Sequence, residues 1–183
     1  MRTFIGVDFD REIKNGIAAI QGIVRENSDK GRFKYIGNFH LTLKFLGEID
    51  NEKVPAVSRM LKQTADSCSG FVLNISKLGC FNGKDSIHAL WLGLGGEIDS
   101  LKALYCSIEE NMNKIGLKKE NKEYVPHITI AQDLRLKTGF EELKHMIDLS
   151  SLKPIEVREV SFIKSEEIGG KRVYTPIAAY KLK

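Results

Sequence analysis

Apolar residues recur along this chain with two different periods, and the change between them marks out strands and helices. Thr3 to Phe9 has the composition of a strand, and Asp10 can cap a helix whose apolar stripe is Ile13, Ile17, Ile20 and Val24. A polar, glycine-containing stretch, Asn27 to Gly31, separates that helix from a short strand near Phe33 to Ile36. In the segment His40 to Phe45, Leu41, Leu43 and Phe45 alternate with His40, Thr42 and Lys44, which predicts a strand with one apolar face and one polar face. Gly47 closes it. Asn51 can cap a second helix with Val54, Val57, Leu61, Ala65 and Cys68 on its inner side, and Pro55 sits early, where a helix tolerates it.

Phe71 to Lys77 and Ile87 to Leu94 read as an antiparallel pair of strands joined through the turn-rich stretch Gly79 to Asp85. Asp99 to Ile115 is a third helix, with Leu101, Leu104, Tyr105, Ile108, Met112 and Ile115 in helical register and Gly116 as its stop. A charged loop, Lys118 to Glu123, leads through Pro126 into a strand from His127 to Ala131. A short helix from Thr138 to Asp148 and two strands, Ile155 to Ser165 and Arg172 to Leu182, complete the order, with Gly169-Gly170 as the last turn. The chain thus carries strand and helix units in two roughly similar halves, which predicts an α+β fold with an internal duplication. Nothing resembling a linker divides it, so residues 1–183 are expected to form a single catalytic domain of two lobes sharing one cleft.

Composition narrows the function classes. The 183 residues are 42% hydrophobic and 28% charged, enough for a substantial core and unlike a disordered chain. A formal charge of +4 favours an anionic substrate but is far too low for a protein that coats nucleic acid, so any contact with a polyanion is expected to be local. Cys68, Cys80 and Cys106 have neither disulfide nor zinc-knuckle spacing, and no stretch has the length of a membrane span or a signal peptide core. The expectation is a cytoplasmic protein, without contact to a membrane, acting as a monomer.

The chemistry lies in two tetrapeptides of one design, His40-Leu41-Thr42-Leu43 and His127-Ile128-Thr129-Ile130. On a strand each places an imidazole and a hydroxyl on one face and two aliphatic side chains on the other. Displacement at a phosphodiester needs a base for the nucleophile and an acid for the departing oxygen, and histidine suits both tasks near neutral pH. Threonine hydroxyls beside them can donate to the non-bridging phosphate oxygens. One such motif alone is most often a half-buried polar position on a strand. Two of them, at similar points in the two halves, shift the reading to catalysis. His88 and His145 lack this setting and are read as surface or packing residues, and Asp8 and Asp133 have no metal-ligand spacing to either motif.

The segments Asn38-Phe39-His40-Leu41-Thr42-Leu43-Lys44-Phe45-Leu46-Gly47-Glu48 and Pro126-His127-Ile128-Thr129-Ile130-Ala131 resemble the paired HXTX motifs of the two-histidine phosphoesterases. The resemblance is closer to their RNA 2′,3′-cyclic phosphodiesterase branch, also called 2′-5′ RNA ligase-like proteins, and it extends to Met1 to Val24 and Ser161 to Leu182. It implies a bilobal fold in which two antiparallel sheets line a central cleft with helices outside. It also implies hydrolysis of RNA or oligonucleotide 2′,3′-cyclic phosphate ends to 2′-phosphomonoesters, with no metal and no organic cofactor. By position in the motifs, His40 resembles the proton donor to the leaving 3′ oxygen and His127 the proton acceptor from water, with Thr42 and Thr129 holding the phosphate.

One departure from the family pattern is Gln132, where an arginine often follows the second motif. Lys44 and Gln132 are the candidate substrate contacts, with Lys164 as another source of the charge an arginine would bring. Tyr35, Phe81 and Tyr174 are candidate base-stacking residues, with core packing as the competing use of each. The expected partners are RNA 3′ ends or small cyclic-phosphate nucleotides. A nucleotide-binding module without efficient chemistry, and a ligase or 2′-5′ phosphodiesterase of the same fold, are the alternatives.

Overall fold

The computed structural model describes residues 1–83 and 86–183. Its elements run β1 (Arg2–Asp8), α1 (Arg11–Glu26), β2 (Ser28–Phe33), β3 (His40–Glu48), α2 (Val54–Ser67), β4 (Phe71–Asn82), β5 (Ile87–Gly96), α3 (Ile98–Lys114), β6 (His127–Leu136), α4 (Phe140–Met146), β7 (Ile155–Val157), β8 (Glu159–Ile168) and β9 (Lys171–Lys181). Two antiparallel sheets result, one in the order β3-β1-β8-β9 and the other in the order β2-β6-β5-β4-β7. The expected α+β class with two antiparallel sheets is what the structure contains.

Local chemistry explains where the elements begin and end. The Asp10 carboxylate accepts from the Ile13 amide at 2.8 Å and starts α1, a cap of the kind worth about 1 kcal/mol. The stripe Ile13, Ile17, Ile20 and Val24 is buried as its spacing requires. Gly116 ends α3 in the left-handed region, with φ at +81°, and Gly169-Gly170 turn β8 into β9 with φ at +57° and +74°. One hydrophobic cluster draws on both sheets and on all four helices, and includes Leu41, Leu43, Ile128 and Ile130, the aliphatic halves of the two motifs. No helix among the described residues is long and apolar enough to cross a membrane.

Three expectations about elements need correction. Asn27 to Gly31 is not a loop before a strand near Phe33: the strand is Ser28–Phe33, paired with β6, and a single 3₁₀ turn at Ile36–Asn38 follows. An edge strand with no fully buried side chain carries no apolar alternation to reveal it. Strand β4 continues through Gly79 to Asn82, so the turn is shorter than expected, and its last two positions, 84 and 85, lie outside the described residues. The run Ile155 to Ser165 is two strands in different sheets: β7 pairs with β4, and beyond Arg158 the chain crosses to pair with β1 as β8.

That crossing also changes the picture of two halves. Strand β2, from the first half, lies beside β6, while β8 and β9, from the second, complete the sheet of β1 and β3. Each half contributes one motif strand, but the sheets interleave distant parts of the chain.

Candidate active site

The two motif strands carry the same irregularity at the same place. In β3 the ladder to β1 pairs Ile5 with Lys44 and Gly6 with Thr42, so Leu43 is an extra residue; in β6 the ladder to β5 pairs Leu90 with Ala131 and Trp91 with Thr129, so Ile130 is extra. A β-bulge of this kind puts two successive residues on one face and reverses the alternation beyond it. Leu43 and Lys44 are therefore both buried, as are Ile130 and Ala131, and the next residues to face the polar side are Phe45 and Gln132.

The bulge overturns the expectation that Lys44 contacts substrate. Its side chain runs into the core, 1% exposed, where the ammonium meets Glu109 Oε1 at 2.6 Å and donates to the Lys118 carbonyl at 2.8 Å. Glu109 Oε2 accepts the Glu120 amide at 2.9 Å. Lys44 thus ties β3 to α3 and to the loop that delivers β6. Lys164, the other candidate cation, is paired with Glu166 at 2.6 Å. Gln132 does reach the polar side, across the ladder from Arg32, and lines a cavity of about 950 Å³.

His40 and His127 share one arrangement. His40 Nδ1 is 2.7 Å from the Asn38 carbonyl, and His127 Nδ1 is 2.7 Å from the Val125 carbonyl, in each case the residue two positions earlier. A carbonyl oxygen only accepts, so Nδ1 carries the hydrogen in both rings and Nε2 is the acceptor nitrogen of the neutral imidazole. Each ring also packs against two aromatic neighbours that touch each other. Phe4 and Tyr174 lie 4.7 and 5.1 Å from His40 and 5.0 Å from one another, and Phe81 and Trp91 lie 5.5 and 6.0 Å from His127 and 5.4 Å from one another, centroid to centroid. Phe81 and Tyr174, considered for base stacking, thus serve first as walls for the imidazoles; Tyr35 does not touch either ring and stays 70% exposed.

Glycines make room for these walls. Gly6 lies beside the His40 ring, and Gly79 stands opposite Trp91 in the ladder of β4 and β5, where any side chain would collide with the indole. His40 Nε2 lies 2.8 Å from Thr42 Oγ1, and no corresponding bond joins His127 to Thr129 among the described residues.

The environment of His40 lowers its proton affinity. Burial pulls its pKa below the ordinary histidine value, and the charges of Lys34 and Lys14 add to this, while the Asn38 carbonyl and Asp8 oppose it. His88 and His145 are elsewhere, the first exposed beside Asp133 and the second bonded to a carbonyl within α4, in keeping with their sequence reading.

The strands β3 and β6 are in contact, and from the loop just before β6 the Tyr124 hydroxyl donates to the Thr42 carbonyl of β3 at 3.0 Å. Tyr124 stacks on Tyr105 of α3 at 4.1 Å, and burial pushes its phenol pKa far above the ordinary value. Sequence reasoning missed Tyr124, Glu109 and Phe4. Only Tyr124 carried a hint, its position just before the second motif.

Paired His-x-Thr strands, one in each of two antiparallel sheets, define a class of protein, and comparison with known proteins says which. The family model described as the 2′-5′ RNA ligase superfamily matches residues 9–169, and the chain belongs to that superfamily. The protein of Thermotoga maritima named RNA 2′,3′-cyclic phosphodiesterase is 31% identical over 157 residues, 86% of this chain and 81% of its own. That of Methanothermobacter thermautotrophicus with the same name is 26% identical over 184 residues, covering 100% of this chain and 99% of its own. Among solved structures, Escherichia coli LigT complexed with 3′-AMP superposes with a TM-score of 0.82 at 25% identity, over 99% of this chain and 97% of that one.

Proposed function

We propose that this protein hydrolyses 2′,3′-cyclic phosphate ends of RNA to 2′-phosphomonoesters, without a metal ion, using His40 and His127 as acid and base on the two sides of one phosphorus atom. The observation that carries this reading is the matched hydrogen bonding of the two imidazoles. Both rings are held by Nδ1 on a carbonyl two residues back, which orients Nε2 and supports its use as the site of proton exchange. The relatives named RNA 2′,3′-cyclic phosphodiesterase and the LigT complex with 3′-AMP support the substrate class.

In this reading His127 Nε2 takes a proton from water as its oxygen bonds to phosphorus. The bond from phosphorus to the 3′ oxygen breaks, and His40 Nε2 gives that oxygen its proton. Each such transfer typically contributes about 10²–10⁴ in rate. Thr42 and Thr129 donate to the non-bridging oxygens as charge grows on them. Burial leaves free His40 short of protons, so the acid forms together with the complex: the anionic diester beside the ring supplies the negative charge that raises its proton affinity. Once protonated, Nε2 no longer accepts from Thr42, whose hydroxyl is released toward phosphate.

The test is to incubate the protein with an RNA ending in a 2′,3′-cyclic phosphate in EDTA and assign the product by phosphorus NMR. The expected product is the 2′-phosphate. A 3′-phosphate, or turnover only on addition of a metal ion, would contradict the reading.

A further inference from the structure

The cavity that Gln132 lines begins at Asn38 and Tyr174, the residues that bond and wall the His40 ring, and runs along β2 and the turn between β8 and β9. Five cations line it, Arg25, Arg32, Lys34, Lys171 and Arg172, and no carboxylate does among the described residues. The lining is therefore uniformly cationic, in a chain whose 28 Lys and Arg are otherwise nearly balanced by 24 Asp and Glu. Two of the five have partners just outside it: Arg32 pairs with Asp133, and Arg172 lies 3.5 Å from Glu167, both in exposed positions where such pairs hold weakly.

The other three have no carboxylate partner among the described residues. Arg25 lies over the Phe33 ring at 4.0 Å, which leaves its guanidinium edge open. Lys34 is half-buried, and burial first, then the neighbouring charges of Arg32 and Arg172, lowers its pKa. Tyr35, 70% exposed, has one side of its ring beside Gly37 and leaves most of its surface to solvent. A cationic groove with an exposed aromatic face is how proteins hold single-stranded nucleic acid, by backbone charge and by stacking.

We propose that this groove binds the single-stranded RNA segment on the 5′ side of the cyclic end, with Arg25, Lys34 and Arg172 on successive phosphates and Tyr35 under a base. The proposal rests on the placement of the terminal phosphate between His40 and His127. It makes the protein selective for oligonucleotides over mononucleotides, and it supplies from β2 and β9 the charge that Gln132 does not bring.

Binding is measured by anisotropy for a fluorescent RNA decamer with a 2′-phosphate end, and by competition for a nucleoside 2′-phosphate with and without a 5′-phosphate. The decamer is expected to bind at least about tenfold more tightly than either mononucleotide, with a salt dependence steeper by about 0.7 in log–log slope for each further phosphate held. Arg25→Gln/Arg172→Gln, checked by its melting temperature, is expected to lose most of that advantage. Equal affinity and slope for decamer and mononucleotide in the unaltered protein would overturn the proposal without recourse to any variant. So would a mononucleotide with a 5′-phosphate binding as tightly as the decamer, which would show a single phosphate pocket. A decamer held in this way but not hydrolysed would leave the groove standing and refute the catalytic reading; hydrolysis indifferent to length would do the reverse.

Discussion

The hydroxyl of Tyr124 donates to the backbone carbonyl of Thr42 at 3.0 Å and so fastens the residue three before His127 to the residue two after His40. Strand β3 is the edge of its sheet, and this carbonyl accepts from beyond that edge a bond that no neighbouring strand supplies. Tyr124→Phe removes the bond and keeps the stacking on Tyr105. The expected loss is about 1 kcal/mol of stability by urea unfolding. Because both motif strands are registered through this contact, kcat is expected to fall about tenfold with KM little changed. An unchanged kcat would mean that the strands are held in register by other contacts.

Lys44 is expected to act on stability and not on substrate affinity. Lys44→Met leaves Glu109 buried without its cation, a loss of about 3–5 kcal/mol, whereas Lys44→Met/Glu109→Leu should recover most of it. Denaturant unfolding of both variants checks this, and KM measured on whichever folds should stay within about threefold. A large rise in KM at normal stability would return Lys44 to the substrate.

The face on which Lys44 lies shows what sequence periodicity can and cannot carry. The alternation of His40 to Leu43 and of His127 to Ile130 was legible, and so were α1 with its Asp10 cap, α3 with its Gly116 stop and the Gly169-Gly170 turn, because each depends on neighbours in the chain. The bulges at Leu43 and Ile130 depend on partner strands, and no local pattern announces that Lys44 goes in while Phe45 goes out. Strand β2 was hidden by its polarity, and Phe4, a wall of His40, comes from a strand whose pairing is a property of the whole topology.

The lowered pKa of His40 makes stability depend on pH in a fixed direction. The unfolded chain binds a proton at this residue near pH 6.5, the folded chain only at lower pH. Between the two the unfolded state holds more protons, so stability is full above the unfolded pKa and falls as pH is lowered through that window. Unfolding midpoints between pH 7 and pH 5 should therefore decline more steeply for the unaltered protein than for His40→Gln. Parallel curves would show that His40 titrates alike in both states.

The same depression predicts that binding a phosphate anion draws in a proton. Calorimetric titration with a nucleoside 2′-phosphate at pH 7, repeated in buffers of different ionisation enthalpy, should show net proton uptake. The uptake should be reduced in His40→Gln. No uptake, or uptake unchanged in the variant, would place the acid elsewhere.

The division of labour between the two imidazoles is tested most directly by changing the leaving atom. An RNA whose cyclic end has sulfur in place of the bridging 3′ oxygen departs as a thiolate and needs little help from an acid. His40→Ala and His127→Ala are each expected to lose about 10²–10⁴ in kcat/KM on the oxygen substrate. On the sulfur substrate His40→Ala should regain most of its rate, and His127→Ala should regain none. Equal losses on both substrates, or a rate insensitive to either replacement, would contradict an acid and a base acting on one phosphorus.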